Sequence, residues 1–226
     1  MKIGVIIPTR GDRNQLLDFA LKQLDKQTVK PDLIEIVNDK PTSGDKDITK
    51  RYRIGFERII AKGADVIFLI EDDDYYSPFY IETMMENWNK NGNPNIFGIG
   101  ETIYYHLALR GYNKTAHAGR ASAFTTMITK EGILNMIWPK DNYAFTDIEF
   151  WKHIQGKTFI PTGTLAIGIK GHKNGTVFGG MGHRANERLY TNRDEGLVWL
   201  KNNVDAESFV FYSNISNIVG NKISLQ

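Results

Sequence analysis

Residues 66–74 place four consecutive carboxylates directly after a run of five apolar residues. The apolar run is short, uninterrupted and largely β-branched or aromatic, which is typical of a strand buried on both faces. The four acids cannot follow it into a core, because an isolated buried carboxylate is neutralised or expelled. They therefore belong at the carboxyl end of the strand, where open α/β sheets bind their ligands.

Four adjacent acids repel one another unless a cation offsets their charge. Mg²⁺ and Mn²⁺ prefer oxygen ligands and commonly bridge one or two carboxylates to substrate phosphates. A solvated acidic turn that caps the next helix is the alternative interpretation. The buried strand before the acids and Tyr75-Tyr76-Ser77-Pro78 after them favour a metal site.

Strands and helices alternate through the first part of the chain. Residues 3–7, 33–37 and 66–70 have the pattern of strands, and residues 15–27, 48–62 and 78–91 have the apolar spacing of helices. Such an order predicts an α/β fold with a mostly parallel central sheet flanked by helices. From residue 96 on, aromatic and alternating residues predict a smaller β region. Residues 110–120 are predicted as a turn or exposed loop, and residues 186–202 as a helix.

The composition gives no support for a nucleic-acid-binding, membrane-binding or disulfide-bonded protein. A net charge of +2 over 226 residues gives no electrostatic reason to expect binding to nucleic acid or to a membrane surface. With no cysteine, the chain has neither disulfides nor a thiolate metal site, which suits a reducing cytoplasm. We find no apolar run of membrane-spanning length, and we expect a soluble cytoplasmic protein.

Polar residues follow all three predicted parallel strands, so they should meet at one edge of the sheet. Thr9 and Arg10 follow the first strand, and Asp39 follows the second. An acid after the second strand suits a base or ribose, and an arginine suits phosphate. Neither the G-x-G-x-x-G nor the G-x-x-x-x-G-K-[ST] motif is present, which argues against a Rossmann dinucleotide site and a P-loop.

The segments Ile6-Ile7-Pro8-Thr9-Arg10, Ile36-Val37-Asn38-Asp39 and Phe68-Leu69-Ile70-Glu71-Asp72-Asp73-Asp74, the last followed by Pro78, resemble those of GT-A glycosyltransferases. The inverting family 2 enzymes are the most similar. The resemblance covers roughly residues 1–172 and is strongest over the first hundred. It implies a single GT-A domain over residues 1–226. Residues 1–95 would bind the nucleotide sugar, 96–170 would form the acceptor and catalytic half, and 171–226 would be a flexible loop with a helical tail.

The resemblance also implies site residues. In that family a D-x-D motif holds a divalent metal on the diphosphate of the sugar nucleotide. Two registers fit, Glu71/Asp73 and Asp72/Asp74, and the spacing to Pro78 favours the first. The implied metal ligands are Asp73 and Asp74 with His172 or His183. The implied donor-binding residues are Thr9, Arg10, Asp39, Arg53, Glu71, Asp72 and Arg184, with Lys170 as an alternative to Arg184 at the diphosphate.

Asp147 occupies the place of the family's general base, with Thr146 in place of the usual glutamate. Glu149 is the second candidate. At the start of a helix, both acids would also simply favour the macrodipole. Tyr104, Tyr105, Tyr112 and Trp138 flank loops and are candidates for the acceptor site.

These features predict a metal-dependent, inverting glycosyltransferase that uses Mn²⁺ or Mg²⁺ and a nucleotide diphosphate sugar, with UDP-sugar as the expected donor. The acceptor is left open among a glycan, a protein, a small molecule and a modified DNA base. A sugar-nucleotide nucleotidyltransferase is one alternative, although residues 8–12 lack its glycine-rich basic signature. The other is a non-catalytic nucleotide- or carbohydrate-binding module of the same fold, in which decay of the acid cluster would be expected.

Overall fold

The structure, a computed structural model, describes residues 1–11, 13–39, 47–171 and 189–223. Its central sheet has six strands. In spatial order they are β2 (Leu33–Val37), β1 (Ile3–Pro8), β3 (Val66–Leu69), β8 (Thr126–Thr129), β5 (Ile96–Ile99) and β9 (Gly156–Phe159). β1 is parallel to both β2 and β3, and β5 is parallel to β9, whereas β8 is antiparallel to its two neighbours. The predicted mostly parallel sheet is confirmed.

Helices cover both faces of this sheet. One face carries α1 (Asn14–Asp25) and α3 (Tyr80–Lys90), and the other carries α2 (Ile48–Ala61), α4 (Lys130–Leu134) and α5 (Thr146–His153). β1 serves both cores, since Val5 and Ile7 pack on the first side and Ile6 packs on the second. This explains the uninterrupted apolar runs, because each central strand has two faces to bury. Among the described residues, no helix has the length and apolar character needed to cross a membrane.

A second sheet packs beside the first. Its five strands in spatial order are β11 (Asn192–Arg193), β7 (Gly111–Ala116), β6 (Glu101–His106), β10 (Ala166–Lys170) and β4 (Tyr75–Tyr76). One of its faces forms a third core with α6 (Val198–Asn203), α7 (Ala206–Ile223) and Phe19 of α1. Because β4 directly follows the four acids and belongs to this sheet, the acids lie at the junction of the two sheets.

Two of the predicted elements are wrong. Residues 110–120 are not simply a loop, because β7 spans Gly111–Ala116 and pairs with β6 along its full length. Residues 186–202 are not one helix either, since β11 lies at Asn192–Arg193 and α6 begins only at Val198. The buried Asp194 accepts hydrogen bonds from the backbone N–H groups of Trp199 and Leu200, at 2.8 and 3.0 Å, and so marks the helix start.

Candidate functional site

The four acids form the turn between β3 and β4. Asp72, Asp73 and Asp74 are buried, and Glu71 is partly exposed. The Tyr76 hydroxyl accepts a hydrogen bond from the Glu71 backbone N–H at 2.9 Å, which closes the turn on itself. Burial of so many carboxylates at a strand end requires specific partners, because each loses its hydration.

Asp74 is the most enclosed of the four. Its Oδ1 accepts a hydrogen bond from the Ile169 backbone N–H at 2.7 Å and lies 3.3 Å from Lys170 Nζ. Its Oδ2 is buried and has no hydrogen-bond partner among the described residues. Asp74 therefore joins β10 to the acid turn and keeps one oxygen available.

Arg13, which precedes α1, forms ion pairs with Asp72 and Asp73. Its Nη2 lies 2.6 Å from Asp72 Oδ1, and its Nη1 donates to Asp73 Oδ2 at 2.8 Å. The arginine side chain is only 8% exposed, so both ion pairs are shielded from solvent. Sequence analysis missed this residue, since nothing in its local pattern connects it with acids sixty positions away.

Burial shifts the pKa values of this cluster. It raises the pKa of Asp72 to about 7, together with the Asp73 charge and against the opposing effect of Arg13. The pKa values of Glu71 and Asp74 are also raised, first by burial, although Lys170 acts against this in both. Burial alone would lower the pKa of Lys170, but Asp74 and its acidic neighbours raise it, so this lysine stays charged.

Three of the carboxylates are grouped as metal ligands would be. One oxygen from each of Glu71, Asp73 and Asp74 lies within 4.8 Å of the other two. This all-oxygen set suits Mg²⁺ or Mn²⁺, and the unpaired Oδ2 of Asp74 fits the same role. Asp72 lies outside this group and is held by Arg13 instead.

Two glutamines, Gln23 of α1 and Gln27 just after its end, position the backbone after the acids. Gln23 Nε2 donates to the Asp74 carbonyl at 3.1 Å, and its Oε1 accepts from the Tyr76 N–H at 2.8 Å. Gln27 Nε2 donates to the Ser77 carbonyl at 2.7 Å, and Gln27 Oε1 accepts from the Ile81 N–H at 3.0 Å. These buried contacts fix β4 and the start of α3 relative to α1.

The other strand ends lie at the same edge of the sheet. Thr9 is buried at the end of β1, and Arg10 is exposed beside it. Asp39 follows β2 on the surface and is paired with Arg58 through two contacts of 2.9 Å. That guanidinium lowers the pKa of Asp39, so the carboxylate is ionised at neutral pH.

Arg53 contacts an acid remote from the strand ends. Its Nη2 donates to both carboxylate oxygens of Asp141 at 2.9 Å. Arg51, also of α2, does reach the strand ends: it is buried and donates to the carbonyls of Thr9 and Val37, at 2.5 and 3.0 Å. Sequence analysis had considered only Arg53 of these two.

Asp147 lies in the first turn of α5. Its Oδ2 is 3.3 Å from Arg120 Nη1, and its side chain is 20% exposed. Burial raises the pKa of Asp147, while Arg120 and the Ile148 backbone N–H act against the rise. The helix start is attached to α2 because Thr49 Oγ1 contacts Thr146 Oγ1 and donates to the Tyr143 carbonyl at 2.7 Å.

Glu149 faces a different environment. Its Oε2 lies 3.2 Å from His153 Nε2 and 3.6 Å from Lys152 Nζ, both on its own helix. Two residues of separation on a helix direct side chains to different faces, as expected for Asp147 and Glu149.

A cavity of about 460 Å³ joins the acid turn to Asp147. Glu71 and Lys170 border it, as do Asp147 and its partner Arg120, whereas Glu149 is not among the described residues that line it. The remaining lining comes from α2, β6, β7, the segment before β8, the start of α5 with the residues before it, and Leu189 and Tyr190. The two groups of candidate residues, 76 positions apart in the chain, thus share one cavity.

Three sequence candidates, His172, His183 and Arg184, lie outside the described residues. Of the four aromatic candidates for an acceptor site, Tyr104 lines the cavity. Tyr105 is buried in the third core, and Tyr112 stacks on Trp199 with ring centroids 4.0 Å apart. Trp138 packs on Phe150 beside the central sheet.

Comparison with known proteins shows what this architecture resembles. No protein-family profile and no curated protein matches the sequence. Among solved structures, S. aureus TarS 1-349 in complex with UDP-GlcNAc matches with a TM-score of 0.55 and 11% identity over 82% of this chain and 61% of that chain. The complex of the same protein with UDP matches with a TM-score of 0.53 and 13% identity over 75% and 60%.

The catalytic domain of Drosophila beta1,4-galactosyltransferase 7 in complex with xylobiose is also similar, with a TM-score of 0.48 and 15% identity over 70% of this chain and 64% of that chain. The chain spans about three fifths of the TarS chains that it matches. The TarS likenesses, together with the mixed sheet and its flanking helices, show that this chain has the GT-A fold.

Proposed function

We propose that the protein is a metal-dependent glycosyltransferase that moves a sugar from a nucleotide diphosphate sugar to an acceptor hydroxyl with inversion. The observation that carries this proposal is the shared cavity, which is bordered by Glu71 from the acid turn, by Lys170 from β10 and by Asp147 from α5. Inverting transfer requires a leaving diphosphate and a base for the acceptor on either side of one anomeric carbon. A cavity bordered by both kinds of group supports such an arrangement.

Asp147 is the proposed general base. A carboxylate that borders the cavity can accept the acceptor's proton as the hydroxyl attacks. Arg120 holds this side chain and opposes the rise that burial causes in the pKa of Asp147. Glu149 is occupied by His153 and Lys152, which makes it the weaker candidate.

Glu71, Asp73 and Asp74 are the proposed residues that hold the metal ion. When all four acids are ionised they carry four negative charges and Arg13 with Lys170 carries two positive ones, which leaves an excess of two for a divalent cation to balance. When bound, Mn²⁺ or Mg²⁺ would stabilise the negative charge of the diphosphate leaving group. Lys170 lies beside Asp74 and adds a fixed positive charge on the cavity side.

A UDP-sugar is the proposed donor. The TarS structures of the same fold contain UDP or UDP-GlcNAc, although their identity to this chain is low. In this chain, Thr9, Arg10 and Asp39 lie at the edge that a nucleotide would occupy, and Asp72, which pairs with Arg13, lies next to Thr9. The ionised Asp39 offers acceptor oxygens for the N–H groups of a base.

Binding of the nucleotide is tested by calorimetric titration of UDP into the protein, with and without Mn²⁺. We expect binding that requires Mn²⁺ and that Asp73→Asn abolishes while its unfolding transition remains cooperative. Asp25→Asn is the matched control, because that acid is exposed on α1 and lies 3.6 Å from Lys30. Equal UDP affinity in Asp73→Asn and wild type would contradict the metal assignment.

The reaction class needs a second measurement. We expect slow Mn²⁺-dependent release of UDP from a UDP-sugar in the absence of acceptor, because water can replace the acceptor hydroxyl. A nucleotidyltransferase would instead release pyrophosphate from UTP and a sugar 1-phosphate. A binding module would bind UDP and release neither product.

A further inference from the structure

The inner face of the second sheet is polar, which folding alone does not explain. Tyr104 and Thr102 of β6 stand opposite Asn113 and Thr115 of β7 in the antiparallel register, so all four project from one face. The alternate residues of β6, such as Ile103, project into the third core. Sheets that face a core on one side usually expose polar residues to solvent, whereas this polar face borders the cavity.

Side-chain hydrogen bonds join this face into a network. Ser122 Oγ lies 2.8 Å from Thr102 Oγ1 and 3.2 Å from Tyr104 Oη. His117 Nε2 lies 2.8 Å from Thr102 Oγ1 and 3.3 Å from Ser122 Oγ. Thr102 is fully buried behind the others and supports them. Five residues of this sheet face and its hydrogen-bond network line the cavity: Tyr104, Asn113, Thr115, His117 and Ser122. We call these five residues the polar wall.

Tyr104 connects the polar wall to the acid turn. Its ring lies close over Gly168, where a Cβ atom would come within 2.5 Å of the ring, so the register needs glycine there. Lys170 Nζ, which pairs with Asp74, lies 5.8 Å from the centroid of the same ring. The wall therefore begins beside the acids that would hold the metal ion.

The other end of the wall approaches Asp147. His117 is near enough to Arg120 for the guanidinium to lower the pKa of the imidazole, after the larger effect of burial. Arg120 in turn pairs with Asp147. A transferred sugar must lie between the diphosphate and the base, and the polar wall occupies that stretch of the cavity.

We propose that the polar wall binds the hydroxyl groups of the transferred sugar and determines which donor sugar the protein accepts. This inference rests on the proposed function. Two polar atoms are available to a ligand: the described residues leave His117 Nδ1 and Asn113 Oδ1 without partners, since the histidine bonds through Nε2 and the asparagine donates to Thr115 through Nδ2. A sugar ring, with hydroxyls that both donate and accept, matches such a surface.

The test compares UDP-sugars with UDP by calorimetry in the presence of Mn²⁺. The ligands are UDP-N-acetylglucosamine, UDP-glucose and UDP, and the variants are His117→Ala and Asn113→Ala. Each variant removes contacts to the sugar alone, so the affinity for the preferred UDP-sugar should fall about fivefold to tenfold while the affinity for UDP is unchanged. Asn89→Ala, at an exposed position of α3, is the control and should change neither.

The outcomes separate the two proposals. If wild type binds UDP with Mn²⁺ but the variants bind the UDP-sugars as tightly as wild type does, the polar wall does not bind the donor sugar. An equal loss of affinity for UDP and the UDP-sugars would also overturn the inference, because the residues would then act on the nucleotide or the fold. Failure of wild type to bind UDP, GDP, ADP or CDP with Mn²⁺ would overturn the proposed function and this inference with it.

Discussion

At the scale of single residues, the acid turn shows how one short segment can hold four carboxylates. Arg13 supports Asp72 and Asp73, and Lys170 supports Asp74. Removal of one partner from a buried ion pair is strongly destabilising, because the remaining charge has lost its hydration. Arg13 and Lys170 are therefore as necessary to the acid turn as the acids themselves, although both lie far from it in the sequence.

Asp147 gives the first residue-scale prediction. A general base acts on the proton of the acceptor, so Asp147→Asn should leave UDP-sugar affinity nearly unchanged and lower transfer by at least about a hundredfold. Glu149→Gln should have a much smaller effect, since Glu149 is bound to His153 and Lys152. Steady-state kinetics of both variants measure the difference. The reverse pattern would make Glu149 the base.

Arg120 gives the second prediction. Burial raises the pKa of Asp147 and Arg120 lowers it, with Glu71 as another charged group near Asp147. Without the guanidinium, the pKa of Asp147 should rise. A base must be ionised to act, so the acidic limb of the pH–rate profile of Arg120→Gln should move to higher pH. Arg120→Lys, which keeps the charge, should restore much of the wild-type profile. Identical profiles for wild type and Arg120→Gln would contradict this role.

At the scale of elements, α1 fixes the position of the acid turn through Gln23. Gln23→Ala would leave the buried Asp74 carbonyl and Tyr76 N–H unpaired, which should lower the free energy of unfolding by about 2 kcal/mol and the affinity for UDP with Mn²⁺. For a chain of this size, the melting temperature should fall by about 4–8 °C. Gln27→Ala removes the equivalent pair of contacts four residues further along the chain. This variant should lose a similar amount of folding free energy but keep more of its affinity for UDP. If both variants lost the same affinity for UDP, a specific role for Gln23 would be contradicted.

The elements that could be predicted from the sequence are those with a strong apolar pattern. β1, β2 and β3 are short buried runs between turn residues, and they were predicted within about a residue of their observed bounds. β7 was missed because its sequence, GYNKTA, is half exposed and carries no apolar stripe. The helical tail was expected at residues 186–202, whereas the long helix is α7 at Ala206–Ile223; its helical pattern is weak, since Ser, Asn, Val and Ile dominate it and all are weak helix formers. Its contacts with Phe19 and the second sheet decide its structure.

At the scale of the whole molecule, the candidate site also has residues that could be predicted from the sequence and residues that could not. The acid turn and Asp147 could be found from the sequence because each stands beside a recognisable strand or helix start. Arg13, Arg51, Arg120 and the polar wall other than Tyr104 could not, because their partners are brought together only by folding. One signal was present in principle: in β6 the polar Thr102, Tyr104 and His106 alternate with Ile103 and Tyr105, which predicts a sheet with one polar face.

The last prediction concerns the coupling of metal and nucleotide across the whole fold. With all four acids ionised, the acid turn carries an excess of two negative charges, and a diphosphate is itself an anion. UDP alone should therefore bind weakly, and UDP and the metal should each strengthen the binding of the other. At about a hundred times the dissociation constant, bound UDP should stabilise the protein by about 2.7 kcal/mol and raise its melting temperature by about 5–10 °C.

Thermal unfolding would be measured with UDP alone, with Mn²⁺ alone and with both together. The shift with both should exceed the sum of the separate shifts, and Asp73→Asn should lose this excess whereas Asp25→Asn should keep it. An equally large shift with UDP alone would mean that Arg13 and Lys170 bind the diphosphate without a metal. The acid turn would then serve to position these two cations, because each of them is held by the carboxylates in the described structure.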